Sequence, residues 1–321
     1  MAPIYSRRHF LRQLLGAGTL AATGLDTAFA GIMPFPPQSF RFVFLTDLHL
    51  MGGDNANLKS AQGIAACLTA VEALDPKPEF ILVGGDLVDK ARELTIPQAE
   101  QRLGLFQKIW HDHTNLPAYW TFGNHDLVGT SNNDDPVSDR HYGKGLFMDT
   151  FHLQHLYYSF DYKGWHFVVL DDVSPQPPNT YIGELFADEL KYLSADLDAH
   201  KSMPTIVCTH IPMVSNLAFA FNLLQSSQYH PKGMESLICT NGSALTANLP
   251  GHNIRAVLAG HLHHYEEMLE NGVPFINSGA VCGNFWRGPL LSCGEGFGVV
   301  DLGADGSFDF DYTTYGWNAP V

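Results

Sequence analysis

The chain has 321 residues, 45% of them hydrophobic and 16% charged, enough for one large core or two smaller ones. Its 18 Lys and Arg against 33 Asp and Glu give a formal charge of −15, so long nucleic acids are not expected as partners; acidity that also serves solubility says nothing about the substrate. Cys67, Cys208, Cys239, Cys282 and Cys293 include no Cys-x-x-Cys pair, which excludes a zinc ribbon or a thioredoxin-like redox motif and leaves room for one bridge, Cys282 and Cys293 being the closest pair.

In chain order, Ser6-Arg7-Arg8-His9-Phe10-Leu11-Arg12 comes first, followed by a mildly apolar run from Leu14 to Ala22 and then by Ala28-Phe29-Ala30, a small-x-small cleavage pattern. Paired arginines, Phe-Leu, a weak apolar core and Ala-x-Ala in this order resemble a twin-arginine signal peptide over residues 1–30. The resemblance implies the twin-arginine export machinery as a partner, folding and metal loading in the cytoplasm, and a periplasmic or secreted working protein spanning residues 31–321. Past that segment no stretch is both apolar and long enough to cross a bilayer, so no stable membrane insertion is expected after cleavage.

Phe40 to Thr46 is an apolar and β-branched run ending at Asp47, and Phe80 to Val83 repeats the design before Gly84-Gly85-Asp86; both read as buried parallel strands. Between them Ile64, Leu68, Val71 and Leu74 fall at helical spacing, and Asp75-Pro76-Lys77-Pro78 ends the helix, giving a β-α-β unit. A helix from about Gln98 to Ile109 follows, then a strand from Ala118 to Phe122 and the loop Gly123-Asn124-His125-Asp126. Tyr157 to Tyr162 and Trp165 to Leu170 flank Lys163-Gly164 as a hairpin; a helix from Glu184 to Ala199 and a strand from Thr205 to Thr209 come next.

Ile211 to His252 is a long connection without a repeated pattern, able to cap a pocket or to form buried helices. Strands are predicted at Ile254 to Ala259, Tyr265 to Leu269 and Pro274 to Asn277, with a closing pair at Gly298 to Leu302 and Ser307 to Thr313. Strands that alternate with helices, together with strands paired through hairpins, predict an α/β fold. Its expected form is a four-layer α/β/β/α sandwich of two mixed β-sheets flanked by helices, in one domain.

Five polar clusters stand just after predicted strands: Asp47-Leu48-His49, Gly85-Asp86, Gly123-Asn124-His125-Asp126, Thr209-His210 and Gly260-His261-Leu262-His263. In an extended segment residues i and i+2 face the same way, so Asp47 with His49 and His261 with His263 are each suited to chelation. Carboxylate, imidazole and carboxamide donors without thiolates favour Mn, Fe or Zn over copper(I) or an iron–sulfur cluster. Glycines 85, 123 and 260 sit where a side chain or phosphate must approach the backbone.

The order and spacing of these clusters, from about Arg41 to His263, resemble the calcineurin-like metallophosphoesterase family. The resemblance implies two divalent or trivalent metal ions: Asp47, His49 and His263 on one, Asn124, His210 and His261 on the other, and Asp86 bridging. It further implies a small phosphate-ester substrate, attacked by a metal-bridging hydroxide between ions roughly 3.5–4 Å apart. Asn124 and His125 would contact the phosphate, His125 would protonate the leaving group, and Asp126 would orient and charge His125. Arg287, in Asn284-Phe285-Trp286-Arg287-Gly288-Pro289, is a further candidate phosphate contact.

The related purple acid phosphatases carry a tyrosine three residues after the bridging aspartate. This chain reads Asp86-Leu87-Val88-Asp89, so no tyrosinate–iron centre is expected. The motif wording looks closest to class III cyclic-nucleotide phosphodiesterases and leans to phosphodiesters, whereas a periplasmic location favours the alternative of a broad-specificity phosphomonoesterase that scavenges phosphate. A non-catalytic binding module would tend to lose ligands that this chain keeps, and a single-zinc peptidase would need a His-Glu-x-x-His that is absent. His111-Asp112-His113 has chelating spacing but reads as surface, and the apolar Leu217 to Leu224 stretch reads as core.

Overall fold

A computed structural model of the chain describes residues 37–52, 58–132, 134–176, 180–226 and 231–320. The expected signal peptide and its boundary at residue 30 lie outside the described residues, all of which belong to one unit. Strand β1 (Phe40–Leu45) has no solvent face: Phe42 and Phe44 point into one apolar cluster, Val43 and Leu45 into another. Such two-sided burial is what a continuous apolar run codes for.

Five strands form the first sheet, in the order β13 (Phe308–Thr314), β12 (Gly296–Leu302), β1, β2 (Ile81–Val83), β3 (Ala118–Trp120). Pairing is parallel from β1 to β3 and antiparallel at β12 and β13. The second sheet runs β10 (Glu266–Glu270), β11 (Val273–Asn277), β9 (Ile254–Ala259), β8 (Thr205–Cys208), β5 (Trp165–Val169), β4 (Tyr158–Tyr162). It is parallel through β11, β9, β8 and β5 and antiparallel at both edges.

Phe42, Phe44, Phe80 and Leu82 of the first sheet meet Trp165, Phe167, Ile206 and Leu258 of the second in one buried cluster. Helices α1 (Ser60–Glu72) and α2 (Ile96–His113) cover the outer face of the first sheet through Ile64, Leu68, Val71, Leu103 and Phe106. On the outer face of the second sheet, α4 (Ala187–Ala199) packs Leu193 and Leu197 against Val168, Val207 and Val257. The expected four-layer sandwich of two mixed sheets is therefore what forms.

Differences from the predicted elements have local causes. Helix α2 starts at Ile96 rather than Gln98 because Pro97 fits the first turn and Gln98 takes the Thr95 N–H at 3.0 Å. Short α3 (Gly145–Thr150) and the strand pair β6 (Val173–Gln176) and β7 (Thr180–Gly183) were not anticipated. Pro175, Pro177 and Pro178 disguise the pair, which forms a separate two-stranded ribbon where a missing N–H is tolerated. The connection 211–252 holds α5 (Leu217–Ser226), α6 (Pro231–Met234) and α7 (Ser243–Thr246). All five cysteines are free, Cys282 and Cys293 included.

One ionic link joins three elements of the second sheet's edge. His166 on β5 lies 2.7 Å from Asp161 on β4 and 2.8 Å from Asp196 on α4. Burial alone would lower this imidazole, but Asp196 and Asp161 outweigh it and the value is raised. A raised folded value means that the stabilisation is complete below the unfolded value of about 6.5 and is lost as pH climbs through the folded one. The melting-temperature gap between wild type and Asp196→Asn should therefore be widest at about pH 5–6 and narrow towards alkaline pH; a gap independent of pH would contradict the link.

Candidate metal centre

The polar clusters follow the C-terminal ends of β1, β2, β3, β8 and β9, so both sheets deliver side chains to one place. The route differs from the extended i, i+2 pairing expected. Asp47, His49, Asp86, His261 and His263 all have left-handed φ, between 42° and 71°. Each strand end kinks sharply instead of running on, at a cost of about 1–3 kcal/mol per residue, a kind of strain that collects at functional sites. Close approach explains two glycines: a Cβ on Gly123 would collide with Asp86, and one on Gly260 with Thr46 and Asp47.

Each buried carboxylate spends one oxygen on protein donors and aims the other inward. Asp47 Oδ2 accepts the Thr46 hydroxyl at 2.7 Å and the His261 N–H at 2.9 Å, while its Oδ1 lies 3.3 Å from His263 Nε2 and 3.7 Å from His49 Nε2. Asp86 Oδ1 accepts the His125 N–H at 2.7 Å, and its Oδ2 stands 3.4 Å from both His49 Nε2 and His210 Nε2. Asn124 Oδ1 is 3.0 Å from the same His210 nitrogen.

The imidazoles are held from behind. His210 Nδ1 donates to the Gly84 carbonyl at 2.8 Å, His261 Nε2 to that of Ser236 at 2.7 Å, and His263 Nδ1 to that of Gly283 at 2.7 Å. Each contact fixes a tautomer whose other nitrogen presents a lone pair to the centre, the support that metal-ligating histidines receive. His263 Nε2 consequently faces His49 Nε2 at 3.1 Å, and Asp47 Oδ1 is buried without a hydrogen-bond partner.

Such a cluster fits cations. Asp47, His49 and Asp86 form one candidate metal group, and Asp86, His210 and His261 a second that shares Asp86. Burial should lower His49 and His210, yet the charge of Cys282 followed by Asp47, Asp89 and Asp86 raises the first, and Asp86 with Asp47 and Asp172 raises the second, both to about 10.

At His125 the expectation and the structure part. The Asp126 carboxylate accepts four backbone N–H groups, of Asp86 at 2.9 Å, Leu87 at 2.9 Å, Gly123 at 3.1 Å and Val88 at 3.3 Å. It ties two ligand loops together rather than orienting His125. The carboxylate beside His125 is that of Asp89, whose Oδ1 is 3.0 Å from Nδ1 and also 3.4 Å from His49 Nδ1. The Lys90 N–H reaches the same His125 nitrogen at 3.1 Å. Asp89 occupies the position compared above with the tyrosine of purple acid phosphatases, and its period-3 offset from Asp86 was the signal available in the sequence.

A cavity of about 250 Å³ opens over the centre, lined by Asp86, His125, His261 and His263 together with Tyr181, Phe221, Leu237, Leu262, Phe285 and Leu290. Arg287 is exposed and turns back on the Phe285 carbonyl at 3.4 Å; the aromatic two residues earlier takes the place proposed for it. Phe221, read as core, is a wall of the cavity, and with Leu237 it brings part of the 211–252 connection to the site. His113 Nδ1 bonds the Ile109 carbonyl at 2.8 Å within its own helix, and neither it nor His111 joins a metal-competent group among the described residues.

Comparison with known proteins agrees with this geometry. A family model described as calcineurin-like phosphoesterase matches residues 40–265. A probable cyclic nucleotide phosphodiesterase of Rhodococcus erythropolis is 22% identical over 261 residues, covering 77% of this chain and 73% of that protein. A cAMP/cGMP dual specificity phosphodiesterase of Mycobacterium tuberculosis is 25% identical over 253 residues, covering 77% and 69%. A dimetal phosphatase from Danio rerio shares the fold with a TM-score of 0.59 at 15% identity, covering 86% of this chain and 96% of that one.

Two substitutions separate the carboxylates' roles. Asp126→Ala strands four buried N–H groups, so the protein should lose at least about 3 kcal/mol of stability in denaturant melts. Asp89→Asn should leave stability within about 1 kcal/mol but slow turnover tenfold or more. A stable Asp126→Ala protein with a purely kinetic defect would restore Asp126 as the partner of His125.

Proposed function

This chain belongs to the calcineurin-like phosphoesterase family and is a metallophosphoesterase, and from that premise we propose that it hydrolyses phosphodiesters with a pair of metal ions. The observation that carries the proposal is the sharing of Asp86 by two His/Asp groups whose members are buried apart from the half-buried His261. By donor chemistry the ions are two of Mn, Fe or Zn, held by Asp47, His49 and His263 on one side and Asn124, His210 and His261 on the other. Bound there, they would polarise the phosphoryl oxygens and acidify a water.

The diester preference rests on the walls. Among the described residues lining the cavity there is no Lys or Arg, so none of these walls places a side-chain cation beside the second negative charge of a monoester. Apolar walls suit a monoanion with a second ester arm, and the relatives from Rhodococcus erythropolis and Mycobacterium tuberculosis carry phosphodiesterase names.

The chain's own contribution to the chemical step is a proton. With the Lys90 N–H or the Asp89 carboxylate engaging Nδ1, His125 can keep its other hydrogen on Nε2 whether the ring is neutral or charged. Burial lowers its pKa, which makes the imidazolium a readier acid towards a departing alkoxide. Asp89, whose otherwise unpartnered Oδ1 lies 3.0 Å from Nδ1, is placed to accept the Nδ1–H left behind.

Export is part of the proposal. The Arg7-Arg8 motif and the Ala28-Phe29-Ala30 site support a periplasmic or secreted protein delivered folded; Arg7→Lys with Arg8→Lys should hold it in the cytoplasm, and unchanged fractionation would remove this element.

The metal-stripped protein should regain turnover of bis(p-nitrophenyl) phosphate on adding Mn, Fe(II) or Zn, and should turn over p-nitrophenyl phosphate more slowly. Monoester preference would instead make it a scavenging phosphatase, and silence on both a binding module. His125→Ala should retain metal and lose activity most on esters with poor leaving groups, by about 10²–10⁴-fold; an equal loss on all esters would contradict acid catalysis.

A further inference from the structure

The loop between β11 and β12 lies beyond residues 40–265, the stretch matched by the family model, yet it is tied to the metal centre at four points. The Val281 N–H donates to the Thr46 carbonyl at 3.0 Å and the Cys282 N–H to that of Asp47 at 3.2 Å. The Gly283 carbonyl receives His263 Nδ1–H at 2.7 Å, and the Trp286 indole N–H donates to the His49 carbonyl at 3.0 Å. Its conformation is thus coupled to both of the chelating pairs.

Phe285 and Trp286 sit side by side in the left-handed region, at φ 50° and 64°. Two adjacent aromatics there cost about 1–3 kcal/mol each and persist only where the surroundings over-determine them. Trp286 supplies that constraint: it is fully buried, its ring fills the space where a Cβ on Gly63 would stand, and Trp317 meets it edge-on at 5.8 Å. With Trp286 driven inward, the strained turn sends Phe285 outward over the imidazoles. Its ring centroid is 4.6 Å from that of His263, 4.7 Å from His49 and 5.9 Å from His125.

Both rings pack against the same apolar cluster, but only Trp286 is spent there in full. Phe285 instead keeps an accessible surface and lines the cavity with Tyr181, Phe221, Leu237, Leu262 and Leu290. At about 250 Å³ the space is small for a ligand site, large enough for a phosphate and one compact arm. We propose that Phe285 is the specificity-determining residue of the site, stacking on a planar, apolar ester arm, so that the chain selects aryl-type phosphodiesters over those with small alkyl or polyol arms.

The proposal rests on the phosphodiesterase reading, and a binding measurement separates the two. On metal-loaded full chain, calorimetry should find diphenyl phosphate bound about tenfold more tightly than dimethyl phosphate, the scale of one aromatic contact. Phe285→Leu, which keeps bulk without a ring, and Phe285→Ala should each abolish most of that ratio in protein brought to the wild-type metal content; Phe285→Tyr should preserve it. Equal weakening of both ligands, or an intact ratio in Phe285→Leu, would overturn the assignment. A wild type that binds through Phe285 but hydrolyses only monoesters would sink the diester reading alone, whereas diester turnover with an unaltered ratio in the variants would sink this inference alone.

Discussion

A carboxylate at the meeting point of two imidazole groups organises this molecule. Asp86 is 1% exposed, 3.4 Å from His49 on one side and from His210 on the other, and Asp47 is buried beside it. Removing such charges from water costs several kcal/mol each unless opposite charge returns the energy. No Lys or Arg lines the cavity among the described residues, and the groups standing against these carboxylates are the imidazoles of His49, His210 and His263, which suits the site to metal ions. The four N–H groups gathered by Asp126 hold the Asp86 and Gly123 loops in register, and the carbonyls of Gly84, Ser236 and Gly283 hold the rings. The surroundings fix the donors before any ion arrives, as a preorganised site requires.

This arrangement explains why two sheets are needed. One sheet supplies Asp47, His49, Asp86 and Asn124, the other His210, His261 and His263, and the aromatic cluster of Phe42, Phe80, Trp165 and Phe167 between them sets their separation. The left-handed residues at five ligand positions are sustained by that packing, since a loop free to relax would not keep them. The same logic extends to Phe285, where strain is transmitted from a buried tryptophan to the wall of the cavity.

What was legible in the sequence follows from where its signals are periodic. Phe40 to Thr46 and Ile254 to Ala259 announced central strands because burial on both faces leaves a run that is apolar apart from one arginine near its start, and ligand types after strand ends announced a metal centre. The β6 and β7 pair was hidden by prolines that say turn more strongly than strand. Asp89 stands beside His125 where Asp126 was expected because both are carboxylates near His125 in sequence or space, and only the path of the Asp86 loop decides which one reaches the ring. Arg287 attracted attention by charge, but the turn that Trp286 enforces exposes the guanidinium and presents Phe285, a consequence of φ values that no spacing rule encodes.

The central claim is that Asp86 joins two cation sites into one centre, and electron paramagnetic resonance of the metal-stripped protein titrated with Mn(II) tests it most directly. Two ions should bind per chain, with the spectrum changing to that of an exchange-coupled pair as the second site fills, and no such signal should appear in Asp86→Ala. Binding of a single ion, or of two magnetically independent ions, would contradict the shared carboxylate.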